Sequence, residues 1–273
     1  MNDVVIRTEQ IGKLYEVGMR RGLLDLRECF SQAIRDPFKS RKPQATSAAS
    51  SNVWAVRSAT FVIRRGEIVG IMGHNGSGKT TLLKLLSRIC EPTEGTAEIH
   101  GRIGTLLDVG AGLHGELTGR ENIYLNAATH GMSRRETCNA FDAIVAFSEL
   151  GRFIDRPLKY LSNGTCLRLA FSVAVFQHCS VLLVDEVLAQ ADPIFQTKCI
   201  EKITAAAAEG QVVVFVSHDL DCIRRFCTRG MVFENGHLVS DGPVEEAIAC
   251  LTATPAVRSA SESLANGDFV IAG

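Results

Sequence analysis

The amino-acid sequence predicts an α/β fold, and three stretches predict it. An apolar run, Ile68-Val69-Gly70-Ile71-Met72, enters a glycine-rich segment, Gly73-His74-Asn75-Gly76-Ser77-Gly78-Lys79-Thr80-Thr81, after which Leu82, Leu83, Leu85, Leu86 and Ile89 recur at helical spacing. This reads as strand, loop, helix. Val181-Leu182-Leu183-Val184 is a second apolar run, bounded by Ser180 and Asp185; Val212-Val213-Val214-Phe215-Val216 is a third, with a helical segment at about 196–208 between them. Short continuous apolar runs suit strands buried on both faces. Strands alternating with helices imply right-handed crossovers, helices on both sheet faces, and ligand-binding groups at the carboxyl ends of the strands. Gly73, Asp185 and Ser217 all fall at such ends.

Taken in order, residues 4–17 open with Val4-Val5-Ile6 and predict a first strand. Met19, Leu23, Leu26, Phe30 and Ile34 then recur at three- and four-residue steps, one stripe of a helix over 19–38 whose other faces are basic. Between 19 and 42 lie seven Arg or Lys against three acids. A basic amphipathic helix of this kind suits a membrane surface or a partner as well as it suits packing on its own domain. Asp36-Pro37 ends it, and residues 40–52, rich in Ser, Ala, Lys and Pro, predict a flexible connector. Residues 53–63 predict a hairpin strand, with the turn Arg64-Arg65-Gly66-Glu67 leading into the 68–72 strand. Pro92 enforces a turn, and Thr96-Ala97-Glu98-Ile99 predicts an edge strand of the same sheet. Gly101, Gly104, Gly110, Gly112, Gly115 and Gly119 then predict a loop that bends or moves. From 120 to 177 the apolar spacing is helical, an insertion between two parts of the sheet. Residues 232–239 carry an Asn235-Gly236 hairpin turn, a short helix follows at 243–251, and the small polar residues from 252 onward predict a loose tail.

Composition narrows the function. With 29 Lys and Arg against 30 Asp and Glu, the net charge of −1 argues against nucleic acid as a partner. No run approaches the ~18 apolar residues a bilayer span needs. Met1-Asn2-Asp3 lacks a basic region followed by an apolar one, so a cytosolic protein is expected. Nine cysteines without a C-x-x-C pair or a zinc-type spacing read as reduced, packed thiols.

The 73–81 stretch fits G-x-x-x-x-G-K-[ST] in the strand-to-helix context that gives the pattern its mechanism. Gly73, Gly76 and Gly78 let successive backbone N–H groups converge, and the helix that follows adds the positive end of its dipole, which together make a cradle for phosphate oxygens. Lys79 is placed to reach the β- and γ-phosphates of a nucleotide, and the Thr80 hydroxyl to take one position on Mg²⁺. Asp185 is the second candidate Mg²⁺ ligand, Glu186 beside it the candidate base for a water, and His218 the candidate partner of the γ-phosphate and that water. Asp192 lies six residues past Glu186 on a loop leading away. Ser162 and the Gly164 backbone make a second anion-binding helix start.

In their order these stretches resemble the nucleotide-binding subunit of ABC transporters, over about residues 4–250. The resemblance implies a P-loop NTPase of ABC type: a mixed sheet core, an antiparallel β subdomain, and a helical insertion carrying the signature. The implied division is a nucleotide-binding core at 53–118 and 178–251, a helical subdomain at 119–177 and a branch-specific basic insertion with linker at 19–52. It also implies ATP and Mg²⁺ as cofactors and a head-to-tail homodimer in which Ser162 and Gly164 of one copy close on the γ-phosphate held by Lys79 of the other. A separate transmembrane permease would be driven from the cytoplasmic face of the inner membrane, with this subunit peripheral to it. Glu116-Leu117-Thr118-Gly119-Arg120-Glu121-Asn122, the stretch Phe147-Ser148-Glu149-Leu150-Gly151-Arg152-Phe153-Ile154-Asp155, and Asp185-Glu186-Val187-Leu188-Ala189 with Asp192, Phe195-Gln196 and Lys198-Cys199 are similar to the branch that exports bacterial cell-surface polysaccharides: O-antigen, capsule or teichoic acid chains. That branch stacks adenine on an upstream aromatic, for which Tyr15 and Trp54 are the candidates.

Three departures stand out. The mobile-loop Gln of the family is replaced at Val109, beside Asp108; the signature reads Asn163 and Thr165 where the wider family has Gly and Gln; and about 20 residues of tail are too few for the carbohydrate-binding domain some of these exporters carry. They keep open a regulatory ATP-binding module with low turnover. A soluble ABC ATPase of translation or DNA repair draws support only from the basic residues 20–42.

Overall fold

A computed structural model describes residues 3–17, 51–107 and 112–253. The basic helix and most of the connector, the loop positions 108 and 109, and the tail beyond 253 lie outside the described residues.

Two sheets enclose the phosphate-loop helix. The smaller is antiparallel, in the order β2-β1-β4, from β1 (Val4–Val17), β2 (Ser51–Arg64) and β4 (Glu94–Ile99). The larger has the order β5-β6-β7-β3-β8-β9, from β3 (Ile68–Met72), β5 (Ile103–Leu106), β6 (Val181–Val184), β7 (Val212–Val216), β8 (Arg229–Glu234) and β9 (His237–Pro243). Its pairs are parallel except β8 with β9, the hairpin that turns at Asn235 and Gly236, both at positive φ. The three central strands are buried almost throughout, which is why they read as unbroken apolar runs.

Helix α1 (Lys79–Leu86) is packed between the sheets: Leu82, Leu83 and Leu86 join Ile6, Ile11, Val56 and Ile63 of the small sheet and Val69, Ile71, Val214 and Val216 of the large one in one core. A third group comprises α2 (Gly119–Thr129), α3 (Arg134–Ser148) and α4 (Asn163–Val175). Capping boxes start the first two: Thr118 with Glu121, and Ser133 with Glu136. Helix α4 is apolar on two sides. Leu169 and Val173 face the helical group, with Ile123 and Ile144, whereas Ala170, Phe171 and Ala174 pack with Leu182 and Val184 of the sheet. The same sheet face is covered by α5 (Pro193–Ala208), α6 (Leu220–Phe226) and α7 (Val244–Ala253).

Five local expectations need correction. β2 pairs with β1, not with β3, so the Arg64–Glu67 turn carries the chain between sheets instead of closing a hairpin. For the same reason β4 edges the smaller sheet rather than the one holding β3. The glycine-dense stretch contains a strand, β5, parallel to β6, in which Gly104 lies so close to its neighbours that a Cβ there would stand 2.6 Å from the Gln177 side chain and 2.8 Å from Cys179 Sγ and would have to displace them. Ser51 and Asn52 belong to β2 and not to the connector, and Thr252 belongs to α7, where its hydroxyl donates to the Ile248 carbonyl. Helix α6 escaped the periodicity because seven residues are too few to show a stripe.

Candidate functional site

β6, β7 and β3 are neighbours running in parallel, so their carboxyl ends set Asp185, Ser217 and Gly73 side by side. The chain leaves β3 through a loop only glycine can follow. Gly73 has φ 149° and Gly78 φ 106°; a Cβ on either would stand 2.2 Å from a backbone carbonyl, that of Phe233 or Ala55. Ser77 N–H donates to the His74 carbonyl at 3.1 Å, and the Ser77 carbonyl accepts from Gly236 N–H at 3.0 Å, tying the loop to the β8–β9 turn. Gly78 caps α1 without a side-chain bond and no acid sits in the first turn, which leaves the positive helix end facing outward. Gly76, Asn75 and Thr80 are exposed, and Thr81 is half-buried.

Lys79 folds back over this loop. Its Nζ donates to the carbonyls of Gly73 at 2.9 Å and His74 at 3.0 Å, and its side chain is almost wholly buried. Burial pushes its pKa down, and the charges of Glu186 and Asp185 work the other way. An ammonium held beside two carboxylates and two carbonyls is set up to exchange the carbonyls for a more strongly charged oxygen. Ser77 Oγ and His74 Nε2 are buried in the same loop with no hydrogen-bond partner among the described residues. Orphaned polar atoms, a glycine cradle and an uncapped helix start together fit nucleotide phosphates.

Asp185 caps the turn after β6, its Oδ1 accepting from Glu186 N–H at 2.9 Å. Glu186 Oε1 meets His218 Nε2 at 2.8 Å, across from the end of β7. Ser217 Oγ accepts from Asp219 N–H at 3.0 Å and shapes the turn that presents the imidazole. Thus Gly73 to Thr81, Asp185, Glu186 and His218 form one cluster.

Ser162, Gly164 and Asp192 lie elsewhere. Ser162 caps α4, and its Oγ bonds stay within that turn, to Thr165 N–H at 3.2 Å and Thr165 Oγ1 at 2.8 Å. Ser162, Asn163 and Gly164 are exposed. Gly164 has room for a side chain, the nearest atom to a Cβ being Ser162 Oγ at 4.0 Å, so nothing among the described residues requires glycine there. Asp192 caps α5 through Phe195 N–H at 3.0 Å, and its Oδ2 takes Arg168 Nε at 2.9 Å. Those contacts, the backbone bond first, hold its carboxyl below the usual range.

Of the two candidate aromatics, Tyr15 touches the phosphate-loop helix. Burial first, and then the neighbouring Cys90 thiol, push its phenol pKa up, against the pull of the Thr81 hydroxyl. The ring stays partly exposed. Trp54 instead lies over Gly12, where a Cβ would stand 3.1 Å from its ring, and the Arg57 guanidinium sits 5.3 Å from the ring centre. Cys90 and Arg168 were not anticipated; their contacts span 75 and 24 residues, from Tyr15 and to Asp192, and carry no local signal.

Residues 56–189 match the model of the ABC transporter family. The chain is 42% identical over 194 residues to the O-antigen export system ATP-binding protein RfbB of Klebsiella pneumoniae, covering 71% of this chain and 79% of that protein. It is 42% identical over 203 residues to the RfbB of Myxococcus xanthus, covering 74% of this chain but only 46% of that protein. The teichoic acids export ATP-binding protein TagH of Listeria monocytogenes is 36% identical over 224 residues, with 81% of this chain and 64% of that protein covered. Among solved structures, the dimeric ATP-binding cassette MJ0796 bound to ADP and Pi superposes with a TM-score of 0.66 at 22% identity over 88% of this chain and 98% of that one, a likeness of fold. The chain therefore belongs to the ATP-binding subunits of the ABC transporter family.

Proposed function

We propose that this chain hydrolyses ATP to power export of a bacterial cell-surface polysaccharide through a separate transmembrane permease. The observation that carries the reading is the identity to ATP-binding subunits named for O-antigen and teichoic acid export, over most of this chain. The nucleotide chemistry follows from the residues. The 73–78 loop and Lys79 hold the phosphates, Lys79 exchanging its two carbonyl partners for β- and γ-oxygens. Thr80 and Asp185 would hold Mg²⁺, which when bound draws charge from the β- and γ-oxygens. Glu186, held at 2.8 Å by His218, accepts the proton of the water that attacks the γ-phosphorus, as the bond to the β-bridging oxygen breaks and ADP and phosphate separate. Tyr15 is the better placed platform for adenine.

Ser162 and Gly164 are exposed, and among the described residues nothing gives Gly164 a steric reason, which supports a second copy supplying them head to tail. No helix among the described residues is long and apolar enough to cross a membrane; the relatives named for export systems support a permease partner that supplies the membrane path. This subunit then works at the cytoplasmic face of the inner membrane. The test is to express the tagged chain at near-native level, isolate membranes in mild detergent and identify what co-purifies. A stoichiometric polytopic subunit is expected; recovery as a soluble protein on ribosomes or DNA would overturn export. Glu186→Gln should bind ATP and stall, and turnover at the native rate would overturn its role as base.

A further inference from the structure

Two of the stretches that carry the polysaccharide-export resemblance, around Phe147–Glu149 and Phe195–Lys198, are remote in sequence and adjacent in space. Phe147 and Phe195 meet edge to face with ring centres 5.5 Å apart. Lys198 Nζ donates to the Phe147 carbonyl at 3.0 Å, lies 4.7 Å from the Phe147 ring centre, and pairs with Glu149 Oε1 at 3.2 Å. The other oxygen of Glu149 takes Arg168 NH1 at 2.6 Å. Arg168 then turns its remaining edge to Asp192, with NH2 at 2.8 Å and Nε at 2.9 Å from Oδ2. One carboxylate thus joins the end of α3, the signature helix α4, and α5 of the nucleotide-binding core.

The backbone at Glu149 is also unusual. It follows α3 at φ 61° and ψ 17°, the left-handed position that ends many helices and favours glycine or asparagine. A glutamate there carries a conformational cost, and strained residues of this kind persist where the side chain has a task. Half-exposed ion pairs contribute little to stability, so stability alone is a poor reason to place a strained glutamate here.

We propose that Glu149 is a positioning residue: through Arg168 and Lys198 it fixes the signature helix and Asp192 relative to each other, so that the exposed end of α4 and the Asp192 loop reach a second copy as one rigid unit. The inference rests on the reading of Ser162, Gly164 and Asp192 as parts of a site completed by a second copy. The carboxylate of Glu149 meets Arg168 and Lys198 rather than the phosphate loop. Its removal leaves the phosphate loop as it is and loosens the surface that must close upon it.

The test uses the full chain with Glu149→Asn and Glu149→Gly, both suited to the left-handed backbone and both without the carboxylate, and Glu149→Asp, which keeps it on a shorter arm. Binding of a fluorescent ATP analogue, steady-state turnover and thermal unfolding are measured on each. Asparagine and glycine are expected to lower kcat about five- to ten-fold, the range over which coupling residues act, with nucleotide affinity and KM unchanged within about two-fold and unfolding temperature unchanged or raised. Aspartate should recover part of the loss. Wild-type turnover in both neutral variants would overturn the proposal, as would a kcat loss matched by a fall in unfolding temperature. Glu186→Gln serves as the control: if it fails to abolish turnover the site reading itself falls, whereas its loss beside an unaffected Glu149→Asn removes the positioning role alone.

Discussion

Replacing Asn122 with alanine should cost about 4 kcal/mol of unfolding free energy, and the hydrogen bonds around it say why. Asn122 sits in the first turn of α2 with no exposed surface. Its Oδ1 accepts from His114 N–H at 2.7 Å, and its Nδ2 faces the carbonyls of His114, Leu117 and Thr118 at 3.0, 3.1 and 2.9 Å. An amide has two protons, so at most three of these four bonds are full at once. Each carbonyl keeps another partner: Leu117 N–H, Leu158 N–H and the Asn122 N–H respectively. The His114 N–H keeps none among the described residues. Three bonds at roughly 1 kcal/mol each, plus about 1–2 kcal/mol for the orphaned donor, give the total, and at roughly 2–4 °C per kcal/mol for a chain of this size the melting temperature falls by about 10 °C. Asn122→Asp sharpens the argument. It keeps the acceptor for His114 but sets a carboxylate oxygen against three carbonyls at a fully buried position, so its pKa must rise above the unfolded value of ~3.9. A raised folded-state pKa means the neutral acid, which donates as the amide did, is accommodated at low pH, and stability is lost as pH rises through the folded pKa. The gap between Asn122→Asp and wild type should therefore widen with pH in urea titrations between pH 5 and 8. A melting loss under about 2 °C for alanine, or a pH-independent gap for aspartate, would refute the reasoning.

The two glycine classes should separate cleanly. Gly78→Ala, whose Cβ would stand 2.2 Å from the Ala55 carbonyl at φ 106°, should lose at least about ten-fold in nucleotide affinity, while Gly164→Ala, with 4.0 Å of clearance, should bind nucleotide normally and lose turnover. Equilibrium binding of a fluorescent ATP analogue, with phosphate release, checks both. Glu136 has its carboxyl held down to about 2, first by the Ser133 N–H and hydroxyl and then by Arg102. Its stabilisation of α3 should be complete above pH ~4.5 and vanish as pH falls through about 2, so the denaturation midpoints of Glu136→Gln and wild type should converge on acidification.

Some of the site was plain in the sequence because its physics is local. The phosphate loop is contiguous, its positive φ angles demand glycine at fixed places, and flanking apolar runs identify the strand and helix that hold it. Buried parallel strands were equally visible, since burial on both faces leaves an unbroken apolar run. β5 was hidden by Gly104, whose missing side chain answers to Gln177 and Cys179 rather than to a turn. The resemblance implied an antiparallel subdomain beside the mixed core, but not which strands form it: β2 and β3 are separated by a turn-like tetrad, yet the partner of β2 is β1, across residues 18–50.

By itself, then, the sequence determined which residues carry the nucleotide chemistry and which strand ends present them. The tertiary structure decided which of those residues meet. Glu186 finds His218 because β6 and β7 are neighbours, Tyr15 rather than Trp54 reaches the phosphate-loop helix because of the register of β1 and β2, and Glu149 finds Arg168 and Lys198 because α4 is packed on the helical group and the sheet at once. Helix and strand periodicity reports only the face a residue occupies, whereas an ion pair across tens of residues exists only when two such faces have been packed together.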